Sequence, residues 1–252
     1  MQNFELISFA SADKLAQDVA SAWLDEIAAA NHAARPHCVA LSGGRIALKF
    51  FTSVVAQTKA REISLGLVHF FWADERCVPP DDAESNFRAA HELLFAPLRI
   101  NDAQIHRIHG EDSPEIAAQK ATTDISHVAP KNSAGQPVLD LIFLGMGEDG
   151  HVASLFPGKI EGANSTDIFC AVNNSPKPPP DRVTLSYPAI AAAKNVWVLA
   201  AGAGKEGVLR ESLSPAEFFP TAKAIRATPF PCLRPKPAPR HFLRRQWWHN
   251  LT

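Results

Sequence analysis

The sequence is short of the features that mark secreted, membrane-spanning or nucleic-acid-binding proteins. No apolar run approaches the ~20 residues of a membrane helix, so no helical span is expected. The opening stretch, MQNFELISFASADKL, has neither a basic n-region nor an unbroken apolar segment, which argues against a secretory signal. Four cysteines (Cys38, Cys77, Cys170 and Cys232) stand far apart, without a CxxC pair or a zinc spacing. They read as reduced thiols, because disulfides need an oxidising compartment, and a cytoplasmic location is expected. The Asn-x-Ser/Thr triplets at Asn164, Asn173 and Asn250 are then fortuitous. A surplus of one charge is missing too: 25 Lys plus Arg face 26 Asp plus Glu, for a formal net charge of −1. That balance argues against a general affinity for nucleic acid or an anionic membrane, but not against a local cationic pocket. Neither HExxH nor a GxSxG elbow occurs, leaving zinc-protease and serine-nucleophile chemistry without support.

What is present suffices for a full core. A chain of 252 residues at 46% hydrophobic content can form one large α/β domain or two small ones. The order of elements favours one domain over residues 1–227, with 228–252 as an atypical tail. Ser11 is placed to cap a helix in which Leu15, Val19, Ala22, Trp23 and Ile27 share a face. HCVALSGG reads as a short apolar strand ending in small residues, followed by helical IALKFFTSVVAQ. GLVHFFWADER reads as a second strand that runs into charge. SNFRAAHELLFAPL is helical from Ser85 or Asn86, and Ser113, Pro114 and Glu115 open another helix. VLDLIFLGMG and KNVWVLAAGAGK supply a third and a fourth strand, with EGVLRESL helical after the latter.

Such near-continuous apolar strands fit a Rossmann-like, mostly parallel sheet flanked by helices. Ligands of open α/β sheets bind beyond the carboxyl ends of the strands. The Gly-rich turns SGG, GMGEDG and GAGK are therefore expected along one edge. NNSPKPPPD reads as a proline-rich loop standing off the core. From Thr228 onward, TPFPCLRPKPAPRHFLRRQWWHNLT reads as a poorly ordered extension with neither a clear strand nor a clear helix.

The turns carry the chemistry. SGG (Ser42, Gly43, Gly44) offers unobstructed backbone N–H groups at a helix start, a place that suits phosphate, and Arg45 adds a donor of the right charge. GAGK puts Lys205 at a helix start, where a lone cation opposes the helix dipole and an anionic ligand reverses the sign. In ADER, Asp74, Glu75 and Arg76 either satisfy one another or the acids hold Arg76 toward an anionic ligand. In GEDGH, His151 has the intrinsic pKa for proton transfer at neutral pH, and Asp149 stands where it can fix the ring tautomer. Arg182, after the proline loop, reads as a rim arginine.

In their order and spacing, LSGG, WADERCVPPDDAESNFRAAHELL, LIFLGMGEDGHVASLFPG, RVTLSYPAI and GAGK resemble the 6-phosphogluconolactonases, from about Phe4 to Leu213. The resemblance implies the sugar-phosphate isomerase-like α/β fold and hydrolysis of 6-phospho-D-glucono-1,5-lactone, without metal or organic cofactor. It implies a phosphate site of Ser42, Gly43, Gly44, Arg45 and Lys205, and substrate contacts from Arg76 and Arg182 beside Asp74. It makes His151 the general base for water and Asp149 its partner, with either Arg76 or the N–H groups of the Gly145–His151 turn holding the oxyanion. The expected partner is a small phosphorylated sugar lactone, and the expected assembly a monomer or weak homodimer.

Two departures stand out. Many relatives carry Thr-Pro after the glycine pair where this chain reads GGRIALKF, which makes Arg45 a substitute phosphate donor. Relatives also finish with a further strand bearing a Trp and an acidic residue, and PRHFLRRQWWHNLT lacks that pattern. Of the alternatives, a glucosamine-6-phosphate deaminase or isomerase shares the histidine turn, but continues into Asn-Glu-Pro rather than ASLFPG and has tyrosine where this chain has Arg76. A non-catalytic sugar-phosphate sensor would need an output module and would have no use for His151 with Asp149.

Overall fold

The computed structural model describes residues 5–158, 166–212 and 241–244. The chain runs β1 (Glu5–Ser8), α1 (Ala12–His32), β2 (His37–Leu41), α2 (Arg45–Arg61), β3 (Val68–Trp72) and β4 (Asp74–Arg76). Next come α3 (Asn86–Ala90), a π-helical turn His91–Phe95, α4 (Ala96–Leu98), α5 (Pro114–Val128) and β5 (Leu141–Gly145). The remainder is β6 (Phe169–Val172), β7 (Arg182–Leu185), α6 (Tyr187–Ala192), β8 (Val196–Leu199), α7 (Glu206–Ser212) and β9 (His241–Arg244).

The main sheet has the order β1-β9-β8-β5-β2-β3. Its four apolar strands β8, β5, β2 and β3 are parallel, as their unbroken hydrophobicity requires. Neighbouring residues of a strand point to opposite faces, and β3 shows what covers each face. Phe70 meets Trp23 of α1 edge-on at 6.3 Å and Phe95 at 5.0 Å. Phe71 stacks on His106 at 4.5 Å, and His106 is tied to Asp124 of α5. Trp23, fully buried, also packs on Phe50 of α2 and Phe143 of β5. Each such aromatic pair adds about 0.5–1.5 kcal/mol beyond the area it buries.

The helix starts follow the sequence. Ser11 Oγ accepts from Lys14 N at 3.0 Å, and Ser85 Oγ from Arg88 N at 3.2 Å. Pro114 occupies the first turn of α5, where its missing N–H costs nothing, and Ser113 caps by position alone. The exception is α2: its cap is Gly44, at φ +97°, with no side chain to serve the first-turn N–H groups.

Three expectations are corrected. The WADER run is not one strand: β3 ends at Trp72, and β4 belongs to a second, antiparallel sheet of order β4-β7-β6. Ala73 joins the sheets, donating to Leu41 O and accepting from Leu185 N, each at 2.7 Å. The proline loop does not stand off the core, because Arg182 binds its carbonyls (below). The tail reading of 228–252 falls mostly outside the described residues, yet within it β9 pairs antiparallel with β8 on one side and β1 on the other.

Candidate active site

The three glycine-rich turns meet at one edge of the main sheet, around a cleft of about 330 Å³. Ser42, Gly43, Gly44 and Arg45 form one wall, the Gly145–His151 turn the floor, and Lys205 closes the phosphate-loop side. The second sheet contributes Asp74, Arg76 and Arg182 opposite. Of the residues singled out in the sequence, Glu75 is not part of the lining, and neither is Asp149. It stands behind His151.

The dyad is close. Asp149 Oδ1 lies 2.5 Å from His151 Nδ1, and Phe156 packs on the imidazole at 4.7 Å. With Nδ1 engaged by a carboxylate, the ring carries its proton there, and Nε2 keeps a lone pair. Burial lowers the His151 pKa below the ordinary histidine value, with the Asp149 hydrogen bond and charge opposing. Burial alone would raise the Asp149 carboxyl, but the His151 hydrogen bond and Lys177 outweigh it and hold it below its usual range. The turn depends on Gly147. A Cβ there would collide with Nδ1 and Cε1 of His151 and stand 2.5 Å from Asp149 Oδ1.

The cleft is cationic. Arg45 is exposed, 3.4 Å from an also exposed Glu148, a contact worth little. Lys205 donates to Met146 O at 2.5 Å, and burial followed by repulsion from Arg45 lowers its pKa. Arg76 pairs through its guanidinium with neither Asp74 nor Glu75 but with Glu84 Oε2 at 3.3 Å, so the three charges of ADER do not simply satisfy one another. Its Nη1 donates to Glu84 O at 2.6 Å, and its buried Nε has no partner among the described residues. Glu75, buried and pushed up to about 7 by desolvation, accepts instead from the backbone N–H groups of Arg76, Asn86 and Phe87. Asp74 accepts from Ser154 Oγ at 2.7 Å.

Arg182 is buried, not at the rim. Its Nε and Nη2 donate to the carbonyls of Pro179, Lys177 and Pro178, and its Nη1 to Ser154 Oγ at 3.4 Å. A charged residue between prolines carries no sequence sign of burial. The network supplies the reason: four acceptors satisfy a guanidinium that would otherwise be costly to bury.

Two lining residues escaped the sequence reading. Lys177, from the proline loop, reaches Asp149 Oδ1 at 3.1 Å. Asn86, read only as a helix start, is buried on the cleft wall against Gly43. The SN pair within the WADERCVPPDDAESNFRAAHELL stretch was the available signal for Asn86. Lys177 had none beyond being a cation in a loop that could fold back. Among the described residues no cluster of three or more His, Cys, Asp and Glu could hold a metal ion, and no helix is long and apolar enough to cross a membrane.

Comparison with known proteins agrees with this geometry. A family model described as glucosamine-6-phosphate isomerases/6-phosphogluconolactonase matches residues 10–230. A protein of Oryza sativa subsp. indica, named probable 6-phosphogluconolactonase 3, chloroplastic, is 36% identical over 182 residues, which are 70% of this chain and 55% of the relative. The chain thus spans little more than half the length of that plant protein. The 6-phosphogluconolactonase of Treponema pallidum (strain Nichols) is 37% identical over 171 residues, covering 68% of this chain and 70% of that one. The crystal structure of 6-phosphogluconolactonase from Leishmania guyanensis superposes with a TM-score of 0.77 at 28% identity, covering 88% of this chain and 91% of the other. A turn that holds a histidine on an aspartate, facing a phosphate-type loop at the end of a parallel sheet, is thus found in a chain that belongs to the glucosamine-6-phosphate isomerases/6-phosphogluconolactonase family.

Proposed function

We propose that this protein hydrolyses 6-phospho-D-glucono-1,5-lactone to 6-phospho-D-gluconate. The observation that carries this reading is an imidazole with a free Nε2, held by Asp149 at the floor of a cleft walled by five cations. Water deprotonated by Nε2 attacks the C1 carbonyl, whose oxygen takes the negative charge. Collapse of that intermediate breaks the bond from C1 to the ring oxygen, which takes the proton back from the imidazolium. A base used in this way is worth roughly 10²–10⁴ in rate.

The 6-phosphate fits the uncapped start of α2, with Arg45 and Lys205 on either side. Uncapped first-turn N–H groups and the helix dipole favour an anion there. Arg76, which lines the cleft, and the N–H groups of the histidine turn are the donors available to the oxyanion. The free thiols of Cys38 and Cys77 suit the cytoplasm.

The test is lactone hydrolysis with 6-phosphogluconolactone generated in situ, for wild type and His151→Ala against the spontaneous rate. Acceleration that disappears in the variant supports the reading. A folded wild type that leaves the spontaneous rate unchanged rejects it, and glucosamine 6-phosphate supplied in parallel tests the deaminase alternative.

A further inference from the structure

We infer that Asn86 is the positioning residue of the phosphate-binding loop, acting as a wedge against Gly43; this rests on the reading of the cleft as a phosphate-ester site. Gly43 is confined on two sides. A Cβ built on it would overlap Asn86 Oδ1 and stand 2.6 Å from Asn86 Cγ, while its own carbonyl is so close to Gly145 that a Cβ there would lie 3.4 Å away. One residue earlier, Ser42 Oγ donates to Phe143 O at 2.8 Å. The loop is thus tied to β5 on one side and bears on the Asn86 carboxamide on the other.

Asn86 is itself held from both ends. Its Nδ2 donates to Asp74 O at 2.9 Å, and its backbone N–H donates to Glu75 Oε1 at 2.8 Å. Glu75 also accepts from the Phe87 N–H at 2.7 Å and from Ser85 Oγ at 3.2 Å, which fixes the start of α3. The wedge therefore reports the position of β4, which carries Arg76, to the loop that carries the phosphate N–H groups. Gly43 has no positive φ that would demand glycine. Its missing side chain is explained by the carboxamide alone. A helix-start asparagine needed only for capping would not occupy the cleft wall, and the cap bond here belongs to Ser85.

The test is binding of 6-phosphogluconate and of inorganic phosphate, followed by calorimetry, with lactone turnover measured in parallel. Asn86→Ala removes the wedge, and Gly43→Ala drives a methyl into it from the loop side without changing any residue of α3. Each is expected to weaken both ligands about tenfold or more, with kcat changed far less than KM. In the double variant Gly43→Ala/Asn86→Ala the methyl enters the space the carboxamide left. Its affinity is expected to exceed the product of the two single losses by about tenfold, within the range of coupling between touching residues. Losses that simply multiply, or an Asn86→Ala protein of unchanged affinity, overturn the wedge. A wild type that binds both ligands but leaves the lactone unhydrolysed removes the hydrolase reading and leaves the wedge to be judged by the coupling alone.

Discussion

Asp149 and His151 are separated in sequence by Gly150 alone, yet their side chains meet at 2.5 Å, with Lys177 a further 3.1 Å contact on the same carboxylate oxygen. In the proposed reaction the carboxylate would both orient the ring and stabilise the imidazolium that forms. Burial lowers the His151 pKa and Asp149 pulls it back up, with burial the larger effect. The acid limb of kcat/KM is therefore expected at a midpoint below 6.5 in the wild type. In Asp149→Asn the opposing charge is gone, so the limb moves to still lower pH while the plateau falls about 10²–10⁴-fold. A pH profile of both proteins decides it: a limb that moves upward in the variant would rule His151 out as the titrating base.

Gly147→Ala is expected to fold and to lose most of its activity. The added methyl falls on His151 Nδ1 and Cε1, so the ring must leave its place or the turn must open. Overpacking of this kind costs about 1–3 kcal/mol, less than the ~5–15 kcal/mol by which a domain is stable. A melting temperature lowered by a few degrees together with a kcat reduced at least ~100-fold is the expected pair of results. Retained kcat would mean that the His151 ring position is unimportant.

Lys205→Ala is expected to weaken every phosphorylated ligand and leave unphosphorylated gluconolactone unaffected. Burial and the neighbouring Arg45 lower the Lys205 pKa below 10.5. Phosphate affinity in the wild type should accordingly begin to fall on the alkaline side before an ordinary lysine would lose its proton. The variant should show no such limb. Titration of 6-phosphogluconate from pH 7 to pH 10 in both proteins reads this out.

His37 predicts acid sensitivity remote from the cleft. Its Nε2 accepts from Trp23 Nε1 at 3.1 Å, and its buried Nδ1 has no partner among the described residues. Burial lowers its pKa to about 4, with Asp140 opposing and Arg35 and Lys194 reinforcing. The native state thus refuses a proton that the unfolded chain accepts from 6.5 downward. Its contribution is complete above pH 6.5 and is lost as the pH falls through 4, up to about 3 kcal/mol. Denaturant unfolding at pH 7 and pH 4 should show a smaller loss for His37→Gln than for wild type. Equal losses would place the acid sensitivity elsewhere.

The parallel sheet and the dyad were legible because each leaves a local mark. Four unbroken apolar runs signal β2, β3, β5 and β8, and glycines around an Asp and a His signal a turn with chemistry. The second sheet left none. Phe169–Val172 and Arg182–Leu185 are four residues long and border a proline-rich loop, and Asp74–Arg76 reads as the charged end of a longer strand. Burial of Arg182 and the service of Lys177 in the cleft depend on that loop folding back, which is decided by carbonyls distant from any recognisable pattern. Asn86 was visible as a helix start, but its contact with Gly43 spans 43 positions and exists only in the folded chain.

The place of β9 has a consequence for the order of assembly. The first strand of the chain finds its ladder partner in Leu6↔Leu243 and its neighbours, and β9 in turn reaches the parallel core through Val198↔Leu243. β1 must therefore wait for a strand that lies more than 230 residues later in the chain. Such long loop closure is slow relative to local contacts. The cleft-forming turns at β2, β5 and β8 can settle beforehand, so the reactive edge takes shape while the opposite margin of the sheet is still open. Folding of this protein on the ribosome should accordingly yield an intermediate with a formed cleft before it yields the complete six-stranded sheet.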